Sequence, residues 1–270
     1  MKTVTLKNGL SMPQLGTGTN TFGKENRSFQ GAINFDTTEL QSAIRLGYRL
    51  LDTAIYYRNE AVIGKAVKES GIPRHEFFIT SKIPEKSEYN TTDDIVRTSV
   101  QSSLNALDLG YIDLYLMHFP LEKNEDNLRV WRVLESFVDR GLIKSIGVSN
   151  FSIDQLTYLI KHARIQPVLH QFQCYPGKMN ADMIAFCQSH HIIPEAYHSL
   201  AKMDKKSKEL LTKIGQKYGK TWSQVALHYQ LHEGIVVIPK SHNPLHQEEN
   251  INVFDFHLTV VEIKTIESIN

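Results

Sequence analysis

The chain has 270 residues, with 30 basic and 29 acidic side chains and a formal net charge of +1. This balance argues against a nucleic-acid surface and against an acidic tail. The first residues lack the apolar core of a signal peptide, and no stretch approaches the ~18 apolar residues of a membrane span. With only two cysteines, the sequence predicts a cytoplasmic protein without a membrane partner, and we expect a monomer.

The N-terminal segment carries a hairpin signal. Val4, Leu6 and Leu10 flank Asn8-Gly9, a pair that readily adopts the positive φ angles of a two-residue turn. We therefore predict a short β-hairpin ahead of the main fold.

Eight apolar runs follow at a mean spacing of about 31 residues, which fits one strand plus one crossover helix. They lack alternation, as parallel strands covered by helices should. The runs begin near Leu15, Arg49, Phe77, Ile112, Ile143, Val168, Ile192 and Ile235. A chain of this length can form one closed α/β barrel. We predict a single (β/α)8 TIM barrel domain over residues 1–270, with the hairpin at the bottom of the barrel.

The segments between these runs show helical spacing. From Thr92 to Leu107 the apolar positions lie on one helical face, at Val96, Val100, Leu104 and Leu107. Thr91, three residues before Asp94, resembles a capping pair at the start of this helix. Gly71 and Pro73 predict that the preceding helix ends near Ser70.

Ionisable side chains follow three of the predicted strands. Asp52 and Tyr57 come after the second strand, Lys82 ends the third, and His118 follows the fourth. Because the carboxyl ends of parallel barrel strands meet at one face, where active sites are built, these four residues are candidates for one pocket.

Five motifs around these residues resemble those of the aldo-keto reductase superfamily. The similarity extends from the hairpin to about Leu258, and five motifs in the same order are far more specific than one. They are Asp52-Thr53-Ala54 with Tyr57, Asn59 and Glu60; Phe78-Ile79-Thr80-Ser81-Lys82; Asp113-Leu114-Tyr115-Leu116-Met117-His118-Phe119-Pro120; Gly147-Val148-Ser149-Asn150-Phe151; and Ile238-Pro239-Lys240-Ser241.

The resemblance implies an NAD(P)H-dependent oxidoreductase that reduces aldehydes or ketones to alcohols. Tyr57 is then the general acid, because the oxygen needs a proton as hydride arrives at the carbon. A phenol with a pKa of about 10 is a poor acid unless a cation such as Lys82 stabilises the phenolate. Asp52 would hold the lysine, and His118 would orient the carbonyl.

The resemblance also implies a set of cofactor-binding residues. Ser149, Asn150 and Gln171 would bind the nicotinamide carboxamide, and Tyr197 would stack on the nicotinamide ring. The positions after the eighth strand would bind phosphate, as in many TIM barrels. The full set is Gly18, Thr19, Asn20, Asp52, Ser149, Asn150, Gln171, Tyr197, Ser199, Leu200, Lys240, Ser241, His246, Glu249 and Asn250.

One position in this set departs from the family pattern. His246 stands where the family has an Arg that grips the 2′-phosphate of NADPH. A guanidinium is always charged, whereas an unperturbed His is mostly neutral above about pH 6.5. We expect NADPH as the cofactor, with NADH as the alternative.

The predicted substrate site also departs from the family. Asn20, Pro84 and Phe119 stand where relatives often have Trp, and the resemblance implies a substrate pocket formed by Asn20, Tyr56, Tyr57, Pro84, His118 and Phe119. The segment from Asn20 to Phe35 exceeds the usual connection of 2–6 residues. We expect it to be a lid, with Gly23 and Gly31 as hinges and Phe22, Phe29 or Phe35 over the substrate.

Two other classes of function stay open. Asp52 and Glu195 could be the paired carboxylates of a barrel glycosidase, although Lys82 has no role in that chemistry. The chain could instead be a binding or redox-sensing protein on a reductase fold. No metal site is expected, because the spacing of His190, His191 and Cys187 fits no common zinc motif.

Overall fold

The computed structural model describes residues 2–269. Its strands are β1 Thr3–Thr5, β2 Ser11–Pro13, β3 Gly16–Gly18, β4 Leu50–Asp52, β5 Phe78–Ile83, β6 Ile112–Met117, β7 Ile143–Ser149, β8 Leu169–Gln173, β9 Ile193–Tyr197 and β10 Val236–Val237. Its helices are α1 Thr38–Arg45, α2 Glu60–Glu69, α3 Ser87–Asn90, α4 Asp93–Leu107, α5 Asn124–Asp139, α6 Ile153–His162, α7 Ala181–Ser189, α8 Lys205–Gln216, α9 Trp222–His232, α10 Pro244–Ile251 and α11 Val260–Glu267.

Strands β3 to β10 form one parallel sheet in chain order. The sheet closes on itself through a parallel bridge between Leu15 and Val237, where the Val237 N–H donates to the carbonyl of Gln14 at 3.1 Å. Helices lie between successive strands, so the predicted (β/α)8 barrel is confirmed. Among residues 2–269, every helix is too short or too polar to span a bilayer.

The N-terminal hairpin is present, but its turn differs from the prediction. The Leu6 N–H donates to the carbonyl of Leu10 at 2.8 Å, so three residues rather than two form the loop. Only Gly9 has a positive φ, at 87°. Asn8 instead donates its side-chain amide to Ser145 at the start of β7, at 2.9 Å. This contact fixes the hairpin against the barrel.

The hairpin fills the bottom of the barrel. Leu6 and Met12 belong to the same buried cluster as Leu50, Leu114 and Leu169, which come from barrel strands. A second and larger apolar core lies between the strands and the surrounding helices. The closed lower end leaves the carboxyl ends of the strands as the open face, where barrel active sites lie.

Helix α4 has the predicted apolar face, because Val96, Val100, Leu104 and Leu107 are all buried. Its N-cap, however, is Thr92 rather than Thr91: the Thr92 hydroxyl oxygen accepts from the Ile95 N–H at 3.3 Å. Thr91 has helical backbone angles at the end of α3, and its hydroxyl donates to the carbonyl of Ser87. An N-cap residue needs non-helical angles, so Thr91 cannot fill that position.

Candidate active site

The four ionisable residues predicted to meet do lie together at the carboxyl end of the strands. Asp52 ends β4, Lys82 lies in β5, and His118 directly follows β6. Tyr57 ends a 3-10 helix, Ile55–Tyr57, which follows β4. The rings of Tyr57 and His118 are 5.6 Å apart, and Lys82 Nζ is 5.0 Å from the centre of the Tyr57 ring.

Lys82 and Asp52 form a buried ion pair. Lys82 Nζ is 2.6 Å from Asp52 Oδ1 and also donates to the carbonyl of Thr53 at 2.9 Å. Burial, the largest single influence, lowers the pKa of Lys82, but the Asp52 carboxylate and the other acidic groups around the lysine together outweigh burial, so this pKa is raised. The lysine therefore keeps its positive charge without contact with solvent.

The pKa of Tyr57 differs from the expectation that Lys82 would lower it. Burial raises the pKa of this phenol, the Lys82 charge opposes the rise, and the Asp52 charge adds to it, so the net shift is upward. The reason for the difference is that desolvation of a phenolate outweighs one nearby cation. Tyr57 therefore holds its proton at neutral pH, as a proton donor must.

His118 is a neutral imidazole. Burial and, after it, the Lys82 charge lower its pKa to about 2. Its Nδ1 is buried and has no hydrogen-bond partner within the described part of the chain. The ring of Phe119 stacks on that of His118 at 5.1 Å. A neutral ring carries one N–H and one acceptor nitrogen, so His118 can still donate one hydrogen bond.

Asp52, Tyr57 and His118 line a cavity of about 550 Å³, and Lys82 is fully buried outside its wall. Most of the predicted site residues line it. The walls are formed by Gly18, Thr19, Asn20, Asp52, Tyr57, His118, Phe119, Asn150, Gln171, Tyr197, His198, Ser199, Leu200, Ala201, Ile238, Pro239 and Lys240. Sequence reasoning missed His198, Ala201, Ile238 and Pro239. Their position next to Tyr197 and Lys240, after β9 and β10, was the available signal.

Polar groups on one wall of the cavity are fixed by one another. Asn150 donates from Nδ2 to the Ser149 hydroxyl at 2.9 Å, and its Oδ1 accepts from the Tyr197 hydroxyl at 2.8 Å. Gln171 donates from Nε2 to Asp52 Oδ2 at 2.9 Å. Ser149 is fully buried behind Asn150 and does not reach the cavity wall. The arrangement presents rigid amide groups to a ligand.

Of the predicted phosphate-binding residues, only Lys240 lines the cavity. Lys240 Nζ donates to Asn20 Oδ1 at 2.9 Å and to the Thr21 hydroxyl at 2.8 Å, so it spans the gap between the loops after β10 and β3. Ser241 and the three predicted residues of α10 lie outside the cavity wall. Of those three, His246 is exposed, Glu249 is half-buried and Asn250 is buried.

Two predicted substrate residues also lie outside the cavity wall. Tyr56 donates its hydroxyl to Glu85 at 3.1 Å, and its ring centre is 5.6 Å from that of His118, at the rim of the site. Pro84 lines a separate small void, and its carbonyl accepts from Asn90 at 3.0 Å. Pro84 is held there by the start of the loop after β5, so it does not form a wall of this cavity.

Only one of the three Phe residues in the Asn20–Phe35 segment approaches the site. The ring of Phe29 is 6.1 Å from that of Tyr57. Phe22 is fully buried and packs on His242. Phe29 and Phe35 are both exposed, at 40% and 48%, but of these two, within residues 2–269, only Phe29 has a ring contact with Tyr57.

The backbone of Phe29 is held by two cations. Lys24 Nζ and an Arg58 guanidinium nitrogen each donate to its carbonyl at 2.8 Å. The proposed hinges are tightly packed, because an added Cβ would lie 2.6 Å from Val62 at Gly23 and 2.3 Å from a backbone oxygen at Gly31. In this structure these contacts hold Phe29 beside Tyr57, outside the set of residues that line the cavity.

The geometry argues against paired glycosidase carboxylates. Asp52 uses one oxygen for Lys82 and the other for Gln171. Glu195 is fully buried and does not reach the cavity. A glycosidase needs both carboxyl groups at the substrate. Within residues 2–269, no group of three or more His, Cys, Asp and Glu residues is placed to hold a metal ion.

The ion pair predicts a specific pattern of stability. Lys82→Met leaves the Asp52 carboxylate buried without a cation, so the free energy of unfolding should fall by about 3–5 kcal/mol in urea titrations. The double variant Asp52→Asn/Lys82→Met should recover more than half of this loss. Equal losses in the single and double variants would contradict the pairing.

Comparison with known proteins agrees with this geometry. The model of the aldo/keto reductase family matches residues 14–270. Methylglyoxal reductase DkgA of Yersinia pestis is 35% identical over 99% of this chain and 92% of that protein. Glyoxal reductase of Bacillus subtilis is 38% identical over 99% of this chain and 92% of its own length.

Solved structures give the same result. The crystal structure of a Bombyx mori aldo-keto reductase in complex with NADP superposes with a TM-score of 0.88 and 32% identity, and the match covers 100% of this chain and 92% of that one. The family match, the two sequence relatives and the fold agree over almost the whole length. The chain belongs to the aldo/keto reductase family.

Proposed function

We propose that this protein is an NADPH-dependent reductase that converts the carbonyl group of small aldehydes or ketones to an alcohol. The observation that carries the proposal is the buried Lys82–Asp52 pair next to Tyr57 and His118, which line the cavity. The relatives from Yersinia pestis and Bacillus subtilis are a methylglyoxal reductase and a glyoxal reductase, which supports small dicarbonyl compounds as substrates.

The residues around the cavity fit a nicotinamide cofactor. Gln171 and Asn150 offer amide groups for a carboxamide, the Tyr197 ring offers an aromatic face, and Lys240 offers a cation for phosphate. When bound, the reduced cofactor supplies the hydride. The cofactor would thus occupy the Tyr197 and Lys240 side of the cavity, and the substrate would occupy the side of Tyr57 and Phe119.

Side chains of the protein then carry out the proton transfer. Tyr57 gives its hydroxyl proton to the carbonyl oxygen as negative charge develops there. Lys82 stabilises the phenolate that remains, and Asp52 holds Lys82 in place. His118 donates one N–H to the carbonyl oxygen and so orients it. In the reverse direction, the Tyr57 phenolate takes up the proton of the alcohol.

Removal of the phenolic hydroxyl tests this role. Tyr57→Phe keeps the ring that packs on His118 but has no proton to give. Turnover of a small dicarbonyl compound should fall by about 10²- to 10⁴-fold. The dissociation constant for NADPH, measured by quenching of protein fluorescence, should stay within about twofold of that of the wild type, a free-energy change below about 0.5 kcal/mol.

The neighbouring Tyr56 provides a matched control. Tyr56→Phe also removes one hydroxyl at the rim, where it donates to Glu85, and should leave most of the turnover. Similar turnover in the Tyr57→Phe variant and the wild type would refute Tyr57 as the proton donor.

The choice of cofactor can be tested at α10. His246 is exposed, at the position where the family resemblance leads us to expect an Arg. A guanidinium binds phosphate through two parallel hydrogen bonds, so His246→Arg should lower the dissociation constant for NADPH by about tenfold. NADH lacks the 2′-phosphate, so its affinity should not change. Equal tightening of both cofactors would show that position 246 does not contact the 2′-phosphate.

We propose that Phe29, whose ring lies beside that of Tyr57, contacts the substrate. Phe29→Ala removes an aromatic ring near Tyr57 and should raise the Michaelis constant for bulky carbonyl compounds by about fivefold or more, with NADPH affinity unchanged. Phe35→Ala is the control, because Phe35 belongs to the same segment and is exposed to a similar extent, but its ring does not contact that of Tyr57 in the described residues. Identical substrate profiles for both variants and the wild type would show that the segment has no role at the substrate.

A further inference from the structure

Glu195 is a buried acid that the proposed reaction does not use. It lies in the middle of β9, paired in register with Gln171 on β8 and with Val236 on β10. Its side chain is fully buried. One carboxyl oxygen accepts from Gln171 Nε2, and the other oxygen has no partner within the described part of the chain. Burying an acid with an unpaired oxygen costs free energy, which points to a role for this residue.

Gln171 connects Glu195 to the Lys82–Asp52 pair. Its Nε2 donates to Asp52 Oδ2 at 2.9 Å and also to Glu195. A primary amide nitrogen has two hydrogens, and the carboxylate of Asp52 can only accept. The nitrogen must therefore face the two acids, and the amide oxygen of Gln171 is left for the cavity, where a carboxamide NH₂ could donate to it.

The pKa of Glu195 is shifted by the same neighbours. Burial, the largest influence, and the Asp52 charge together raise its pKa to about 8, against the opposing effects of the Gln171 hydrogen bond and the Lys82 charge. Asp52 on β4 and Lys82 on β5 are the charged groups that act on it, while β10 contributes only valines beside it. Glu195 is therefore uncharged at neutral pH and becomes an added negative charge beside the ion pair in mildly alkaline solution.

We propose that Glu195 is a positioning residue of this active site. Through its hydrogen bond it fixes the Gln171 amide that binds the cofactor carboxamide. The charge of Glu195 also changes the electrostatic potential at Lys82 and Tyr57. The inference rests on the proposed function, because it assigns Gln171 to the cofactor and Tyr57 to proton donation. An ionised Glu195 disfavours the Tyr57 phenolate, since like charges repel, and therefore slows carbonyl reduction.

Two substitutions separate the two parts of this role. Glu195→Gln keeps an acceptor for Gln171 but cannot ionise, and Glu195→Leu removes the acceptor. Measured by fluorescence quenching, NADPH affinity should be unchanged in Glu195→Gln and should fall by about tenfold in Glu195→Leu, because the Gln171 amide is then held by Asp52 alone. Unchanged affinity in both variants overturns the positioning role.

The pH profile tests the charge. In the wild type, turnover should decline as pH rises through about 8, where Glu195 ionises. In Glu195→Gln, the ratio of turnover at pH 9 to turnover at pH 7 should be at least about threefold higher than in the wild type. An unchanged ratio would show that the charge of Glu195 does not affect turnover. This measurement does not need the Glu195→Leu variant, so it is valid even if that variant does not fold.

Glu135→Gln is the control variant. Glu135 is also buried, but it lies on α5 and accepts from the backbone N–H of Ile165. Its substitution should change neither NADPH affinity nor the pH profile. If the wild type binds NADPH but reduces no carbonyl compound, the proposed function fails while the affinity measurements still decide the role of Glu195.

Discussion

The candidate site depends on one interaction, the ion pair between Lys82 and Asp52 inside the barrel. Removing two charges from water is costly, and such a pair is tolerated only when its remaining hydrogen-bonding groups are satisfied. Here the carbonyl of Thr53 and the amide of Gln171 meet that need. The pair places a fixed cation beside Tyr57, while burial keeps Tyr57 protonated and His118 neutral. An aldo/keto reductase fold thus places a protonated phenol, a neutral imidazole and one buried cation next to one another.

Much of this arrangement could be predicted from the sequence. The regular spacing of apolar runs predicted all eight barrel strands, because parallel strands buried on both sides need continuous apolar sequence. The same strand ends predicted that Asp52, Tyr57, Lys82 and His118 would lie together, since the carboxyl ends of barrel strands meet at one face. These predictions depend only on the positions of residues relative to the ends of the strands, which can be read directly from the sequence.

The details that the sequence could not provide depend on contacts between distant segments. The hairpin turn differs because Asn8 bonds to β7, and the cap of α4 moves to Thr92 because Thr91 is used by α3. Loop side chains were least predictable: Phe29 rather than its neighbours approaches Tyr57, and Pro84 faces a separate void.

The link from Glu195 through Gln171 to Asp52 joins three strands and appears only when the barrel closes. No local pattern encodes such a contact.

We propose that the charged and neutral groups around Lys82 support proton transfer to a carbonyl oxygen. The most direct test is to mix the purified protein with NADPH and a panel of aldehydes, ketones and dicarbonyl compounds, while following the absorbance of the reduced cofactor and identifying the product. We predict oxidation of NADPH with at least one small carbonyl compound and formation of one equivalent of its alcohol. Binding of NADPH without oxidation by any compound of the panel would contradict it.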